Sequence, residues 1–235
     1  MTLENKRIIL TGATSGIGKS LAIRLAKHGA KLAVCGRSSE KMEVLTAELQ
    51  SAGQAHYSKT FSITDENEIV QFVKESAEQL GGVDVLINCA GANTARGQIG
   101  EIKTADLDEM YAVNFRAPFI FMREAYNLMK PHQNGTVVNV LSTVCLFSNE
   151  NIAAYTATKA GIEAMTKVFR KEARREGIKV CSVYPGGVDT PFRAADRPDY
   201  MSADSVADAI IAMLNMPEDV AVHDLILRPM VEDNF

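Results

Sequence analysis

The segment "AAYTATKAGIEAM" sets Tyr155 and Lys159 four residues apart. On a helix these two side chains share one face, because residues i and i+4 are surface neighbours. A free tyrosine titrates near pH ~10 and is a reluctant base at neutrality. An ammonium about 6 Å away, at an effective dielectric of ~20, favours the phenolate by roughly 2–3 kcal/mol. That is about two pKa units, enough to bring Tyr155 towards working pH as a general acid or base. Ser142 follows the apolar run 135–141, where its hydroxyl can polarise a carbonyl oxygen as an oxyanion donor does. Each residue also has a plainer use: Ser142 as a strand-end cap, and Tyr155–Lys159 as an exposed helical pair of little energetic value. No histidine stands beside a serine or cysteine in a nucleophile motif, so the chemistry suggested is proton transfer.

A second constellation lies in "ILTGATSGIGKSLA", Ile9 to Ala22. Gly12, Gly16 and Gly18 stand between an apolar run and a helical pattern, one step removed from the dinucleotide fingerprint G-x-G-x-x-G. So much glycine gives up backbone entropy, which predicts a turn that something approaches closely. At a helix N-terminus, free N–H groups and the positive end of the dipole favour a phosphate. Gly12 then permits a tight exit from the strand, Gly16 lets the backbone meet a pyrophosphate, and Gly18 lets helix and strand pack. Thr14, Ser15 and Ile17 line the same turn. The bare alternative is a glycine-rich turn with no ligand.

The next apolar run ends "AVCGRSS". Dinucleotide folds carry an acid about 20 residues beyond the glycines, bonded to the ribose 2′-hydroxyl. Gly36 and Arg37 occupy that place. A guanidinium grips a 2′-phosphate that a carboxylate would repel, so the expected cofactor is NADP(H) rather than NAD. Ser38 adds a hydroxyl, and Ser39 is the expected cap of the following helix.

Strand-like runs are expected at 7–10, 31–35, 55–60, 83–88, 135–141, 178–184 and 224–227, and helices at 17–28, 39–51, 65–80, 104–130, 152–176 and 203–215. Strands of mostly Val, Ile, Leu and Ala, alternating with helices, predict a parallel sheet covered on both faces. Right-handed crossovers make it an α/β, doubly wound, Rossmann-type fold with a seven-stranded parallel sheet. The whole chain, 1–235, is expected to be one domain, with a substrate loop at about 191–202. Its 235 residues are enough for a full core, and 46% hydrophobic with 23% charged residues matches a soluble protein. A net charge of −4 gives no reason to expect nucleic acid. No apolar run approaches a membrane span, and the N-terminal residues lack the apolar core of a signal peptide. Four scattered cysteines and four scattered histidines form neither a disulfide framework nor a metal constellation, which fits a reducing cytoplasm.

With these residues assembled, the chain resembles the short-chain dehydrogenase/reductase family along most of its length. Thr11-Gly12-x-x-x-Gly16-Ile17-Gly18 is similar to the family's cofactor turn, and Asn88-Cys89-Ala90-Gly91 to its N-N-A-G motif, with Cys for the second Asn. Asn114 matches a helix-borne asparagine, Ser142, Tyr155 and Lys159 the serine and Y-x-x-x-K, and Pro185-Gly186-x-Val188-x-Thr190 the loop after the sixth strand. The resemblance implies an oxidoreductase that interconverts a carbonyl compound and its alcohol. Tyr155 would act on the substrate oxygen and Lys159 would hold the nicotinamide ribose. Asn114 would kink its helix and hold a water relaying protons from Lys159. Ser62, with Ile63 beside it, stands where the family usually has an acid for the adenine amine, so the adenine contact is weaker; Asp65 reads as a helix cap.

The expected partner is a small carbonyl or alcohol in a pocket walled by 94–98, 144–147 and 192–201. Arg193 and Arg197 in the last wall either attract an anionic substrate or belong to a solvated loop. The chain has no Gly-rich tail after its last strand, and the resemblance implies a homodimer through the two long helices. A 3-oxoacyl thioester reductase and a non-catalytic NADP-binding sensor are the alternative readings.

Overall fold

The first strand shows how the sheet is covered. In β1 (Arg7–Thr11), Ile8 and Leu10 join one buried apolar cluster while Ile9 joins another. The same alternation runs through β2 (Lys31–Gly36), where Leu32 and Val34 face one way and Ala33 and Cys35 the other. A strand apolar on both faces must lie between two layers of helix, since each fully buried aliphatic side chain contributes roughly 1.5–3 kcal/mol. A computed structural model describes residues 2–53, 55–193 and 196–233.

The remaining elements follow in βα order: α1 (Gly16–Lys27), α2 (Ser39–Ser51), β3 (His56–Thr60), α3 (Glu66–Leu80) and β4 (Val85–Asn88). Then come α4 (Thr104–Tyr111), α5 (Ala117–Met129), β5 (Gly135–Val140), α6 (Ala153–Ala173), β6 (Ile178–Pro185), β7 (Val188–Asp189), β8 (Met201–Ser202), α7 (Ala203–Leu214) and β9 (Asp224–Leu227). Seven strands form the expected sheet in the order β3-β2-β1-β4-β5-β6-β9, and every pairing is parallel. The strand order reverses between β1 and β4, which opens a crevice at their carboxyl ends. On one face α1, α2 and α7 bury Leu21, Leu25, Leu45, Val206 and Ile210; on the other, α3, α5 and α6 bury Ile69, Phe72, Phe121 and Ile162.

Two features depart from the expected pattern. The helix expected over 104–130 is broken into α4 and α5 by a π turn at Ala112–Arg116, with Asn114 fully buried in it. The region after β6 forms an unforeseen two-stranded pair, β7 with β8, which ties Val188 to Met201 and Asp189 to Ser202. The four cysteines are free, and burial pushes all their thiols up, Cys35 and Cys89 to about 12 and Cys145 and Cys181 to about 11. Among the described residues no helix is long and apolar enough to cross a membrane, and no His/Cys/Asp/Glu cluster could hold a metal.

Candidate active site

The glycine turn enters the crevice as the sequence predicts. Gly12 and Gly16 have φ of +68° and +51°, left-handed values that cost a side chain about 1–2 kcal/mol. A Cβ on Gly12 would lie 2.7 Å from Cα of Ala90, and one on Gly18 would collide with the carbonyl oxygen of Gly12. A Cβ on Gly16 would meet Thr190 at 3.3 Å, so the loop after β6 reaches the turn that follows β1. Ser15, the N-cap of α1, is extended and makes no side-chain capping bond, and the first turn contains no acid. The leading N–H groups of α1 are therefore left to an anion, the arrangement a pyrophosphate requires. Thr14 packs on the end of β2, where a Cβ on Gly36 would lie 2.6 Å from its methyl group.

At the end of β2, Arg37 is exposed and forms no ion pair among the described residues. Ser38, not Ser39, caps α2: its hydroxyl accepts from the N–H of Lys41 at 3.3 Å, and Ser39 is already helical. The hydroxyl proton of Ser38 remains for another acceptor. Ser62 is exposed and bonds to the Thr64 hydroxyl at 2.8 Å, with Ile63 packed against the core beside it. Asp65 caps α3, accepting from the N–H groups of Asn67 and Glu68.

The residues expected to do chemistry converge between β5 and α6. Ser142 lies just past β5 and caps a short 3₁₀ turn, Thr143–Cys145, its hydroxyl accepting from the N–H of Val144 at 3.3 Å. It also favours the ionised form of the Tyr155 phenol. Tyr155 is 7% exposed and packs with Ala95, Met110, Val144 and Ile152. Lys159 shares the face of Tyr155, its Nζ 6.0 Å from the ring centre. Phe192 approaches the other ring contact, 6.0 Å between centroids.

The electrostatics differ from the sequence expectation. Burial pushes the Tyr155 phenol up to about 12; the Ser142 hydrogen bond and the positive fields of Arg193 and Arg96 pull the other way without overcoming it. The Lys159 ammonium donates to the carbonyl of Val140 at 2.9 Å, and burial lowers its own pKa. Desolvation disfavours the charged form of both groups, raising the phenol and lowering the ammonium.

Asn114 and Lys159 meet at Gly91, where a Cβ would lie 3.5 Å from Asn114 Oδ1 and 3.6 Å from Lys159 Nζ. Asn114 lies within the π turn that interrupts its helix. Its amide clasps the backbone of Ala92, accepting its N–H at 2.8 Å and donating to its carbonyl at 2.7 Å. It also donates to the Thr158 hydroxyl at 3.1 Å, which in turn bonds the carbonyl of Tyr155. Asn88 turns inward and donates to Asn139 at 2.9 Å, which joins β4 to β5, while its Oδ1 is buried with no hydrogen-bond partner among the described residues.

Several supporting contacts were not part of the sequence reading. The Thr11 hydroxyl accepts from the N–H groups of both Cys89 and Ala90 at 3.0 Å, fixing the Ala90-Gly91 corner to the end of β1. Asn139 links Asn88 to Thr166; a polar residue inside the apolar run "TVVNV" was its sequence signal. Beyond Pro185, Gly186 donates to Leu227 at 2.8 Å, and Gly187 donates to the carboxylate of Glu232 at 2.7 Å. Tyr200 covers Gly187, where a Cβ would lie 2.5 Å from its ring. No local pattern marks these last pairings. Residues 194 and 195 of the expected substrate wall lie outside the described residues.

The profile described as short chain dehydrogenase matches residues 6–201. An uncharacterized oxidoreductase of Staphylococcus aureus (strain MW2) is 30% identical over 231 residues, which are 97% of this chain and 99% of the relative. Among solved structures, an alcohol dehydrogenase from the archaeon Thermococcus sibiricus, complexed with 5-hydroxy-NADP, superposes with a TM-score of 0.90 at 27% identity over 97% of each chain. A metagenomic short-chain oxidoreductase in complex with NADP superposes at 0.86 with 27% identity, covering 98% of this chain and 100% of the other. Levodione reductase gives 0.88 at 25% identity over 96% and 97% of the two chains. With the sheet order, the glycine turn and the Ser-Tyr-Lys grouping in agreement with this, the chain belongs to the short-chain dehydrogenase family of oxidoreductases.

Proposed function

We propose that this protein is an NADP(H)-dependent oxidoreductase that interconverts a carbonyl compound and its alcohol, with Tyr155 as the general acid/base. The observation that carries the reading is the grouping of Ser142, Tyr155 and Lys159 beside Gly91 at the carboxyl edge of the sheet. A bound nicotinamide dinucleotide supplies a hydride to the carbonyl carbon or removes one from the alcohol. Gly12, Thr14, Ser15, Gly16, Ile17 and Gly18 would receive its pyrophosphate, Arg37 and Ser38 its 2′-phosphate, and Ser62 and Ile63 its adenine. Asn88, Ala90 and Gly91 would line the crevice floor through their backbone, and Pro185, Gly186, Val188 and Thr190 the nicotinamide end. The 5-hydroxy-NADP and NADP carried by two of the structural neighbours support this preference, as does Arg37 with no acid at its position.

In reduction Tyr155 gives its proton to the substrate oxygen, and Ser142 donates a hydrogen bond to the same oxygen. Burial keeps Tyr155 protonated at neutral pH, which readies it for that direction. Lys159 would hold the nicotinamide ribose and return the proton, with Asn114 fixing the helix start against Ala92. The reading also includes a cytoplasmic location and a homodimer through α4–α5 and α6. Tyr111, Phe119 and Val168 are exposed on those helices, whereas Met110, Met122 and Met129 are core.

The test is Tyr155→Phe. Turnover of any carbonyl substrate should fall by about 10²–10⁴, while NADPH affinity stays as in the wild type. Unchanged turnover rejects the mechanism.

A further inference from the structure

We propose that Glu232 is a positioning residue for the nicotinamide end of the cofactor, holding the Gly186–Gly187 corner in the shape that receives the ring; this rests on the oxidoreductase reading above. The loop concerned starts where β6 ends. It reaches the glycine turn after β1, since a Cβ on Gly16 would meet Thr190 at 3.3 Å. Two residues further on, the ring of Phe192 lies 6.0 Å from that of Tyr155. A backbone that runs between the phosphate turn and the phenol borders the space in which hydride is exchanged.

The corner is fixed by groups that come later in the chain. The Gly186 N–H donates to the carbonyl of Leu227, the last residue of β9, at 2.8 Å. The Gly187 N–H donates to Glu232 Oε1 at 2.7 Å, and the Gly187 carbonyl accepts from the Met201 N–H at 3.1 Å. Side chains also cover both residues. A Cβ on Gly186 would collide with Glu232 Oε2, and one on Gly187 would lie 2.5 Å from the Tyr200 ring. Two glycines in a row are therefore required here, by a carboxylate on one and a phenol ring on the other. The Gly-Gly backbone is also the kind that turns most freely once a restraint is lost.

Glu232 is itself held. Its N–H closes a turn onto the Pro229 carbonyl at 3.1 Å. Nη1 of Arg228 stands 3.5 Å from Oε2, and both side chains are largely buried. The Arg228 guanidinium lies 4.6 Å from the ring centre of Phe147. The Phe147 N–H in turn bonds the Thr143 carbonyl at 2.9 Å, in the turn that Ser142 caps. One clasp thus joins the corner to the segment that carries Ser142. A charged acceptor bonds an N–H about twice as strongly as a neutral one, which makes Glu232 the firm point of the corner.

The test compares NADP+ with 2′-phospho-ADP-ribose, and NAD+ with ADP-ribose, by calorimetric titration. The members of each pair differ by the nicotinamide ring alone. In Glu232→Ala the Kd of the dinucleotide should rise about tenfold, the worth of one hydrogen bond, while that of its ring-less partner stays as in the wild type. Glu232→Gln keeps an oxygen for the Gly187 N–H and should recover most of the loss. Glu232→Asp keeps the charge but is one carbon short of that N–H. It should show the same loss confined to the ring, and it carries the test if the alanine variant does not fold. Parallel losses within each pair, no loss at all, a Gln variant that recovers nothing, or a wild type whose affinity the ring does not change would each overturn the proposal. If the wild type binds none of the four ligands, the oxidoreductase reading itself fails.

Discussion

The Lys159 ammonium donates to the carbonyl of Val140 at 2.9 Å, not to the phenol of Tyr155, whose ring centre is 6.0 Å away. Two buried groups on one helical face thus keep apart, each satisfied by a different neighbour. Tyr155 has its proton and the Ser142 hydroxyl; Lys159 has a backbone acceptor at the end of β5.

This arrangement predicts an asymmetric pH dependence. With Tyr155 protonated up to about 12, carbonyl reduction should be level between about pH 6 and pH 9, and alcohol oxidation should rise towards tenfold per pH unit. Steady-state rates in both directions, with saturating cofactor, measure this. A reductive rate that halves near neutrality would show that the ammonium, not burial, governs the phenol. The raised value also stabilises the fold below 10.0, the ordinary value, and that contribution is lost as pH climbs towards about 12.

The glycines of the first turn should separate by role. Gly18→Ala sets a methyl group against the backbone oxygen of Gly12, which cannot move aside, so a large fall in Tm is expected. Gly16→Ala meets only the Thr190 side chain, at 3.3 Å, and a φ of +51°. It should cost about 1–2 kcal/mol of stability and raise the NADPH Kd by about tenfold. Thermal melts with and without nucleotide distinguish the two.

Arg37→Ala should raise the Kd for NADPH about tenfold or more and leave that for NADH unchanged, since only the former has a 2′-phosphate for a guanidinium to bind. Fluorescence titration of both cofactors gives the comparison. Equal losses would place Arg37 away from the phosphate.

Glu232 reaches back to the loop after β6, accepting the Gly187 N–H at 2.7 Å with its other oxygen 3.5 Å from Arg228. Arg228 in turn lies 4.6 Å from the ring centre of Phe147. Glu232→Ala leaves a part-buried N–H without its acceptor and should cost about 1–3 kcal/mol in urea unfolding. Glu232→Gln keeps an oxygen for that N–H and should cost less.

The elements were legible because their signals are local. Val-, Ile- and Leu-rich runs separated by helical periods can satisfy their apolar faces only in a covered parallel sheet, and seven strands were found where seven were expected. The glycine turn was legible for the same reason, since backbone crowding at Gly12 and Gly18 permits no side chain. Tyr155 and Lys159 were placed together by helix geometry alone. What they do to each other was not legible: the Coulomb attraction depends on spacing, but the opposing desolvation depends on Ala95, Met110, Val144 and Ile152, which only the tertiary structure gathers around the ring. The π turn at Asn114 is another such case, because the bonds that hold it run to Ala92 and Thr158, distant in sequence. The sequence by itself determined the fold and the glycine turn, through periodicity and backbone sterics. Only the tertiary structure decided the burial of Tyr155, the partner of Lys159 and the pairing of β7 with β8, because these depend on contacts between segments far apart in the chain.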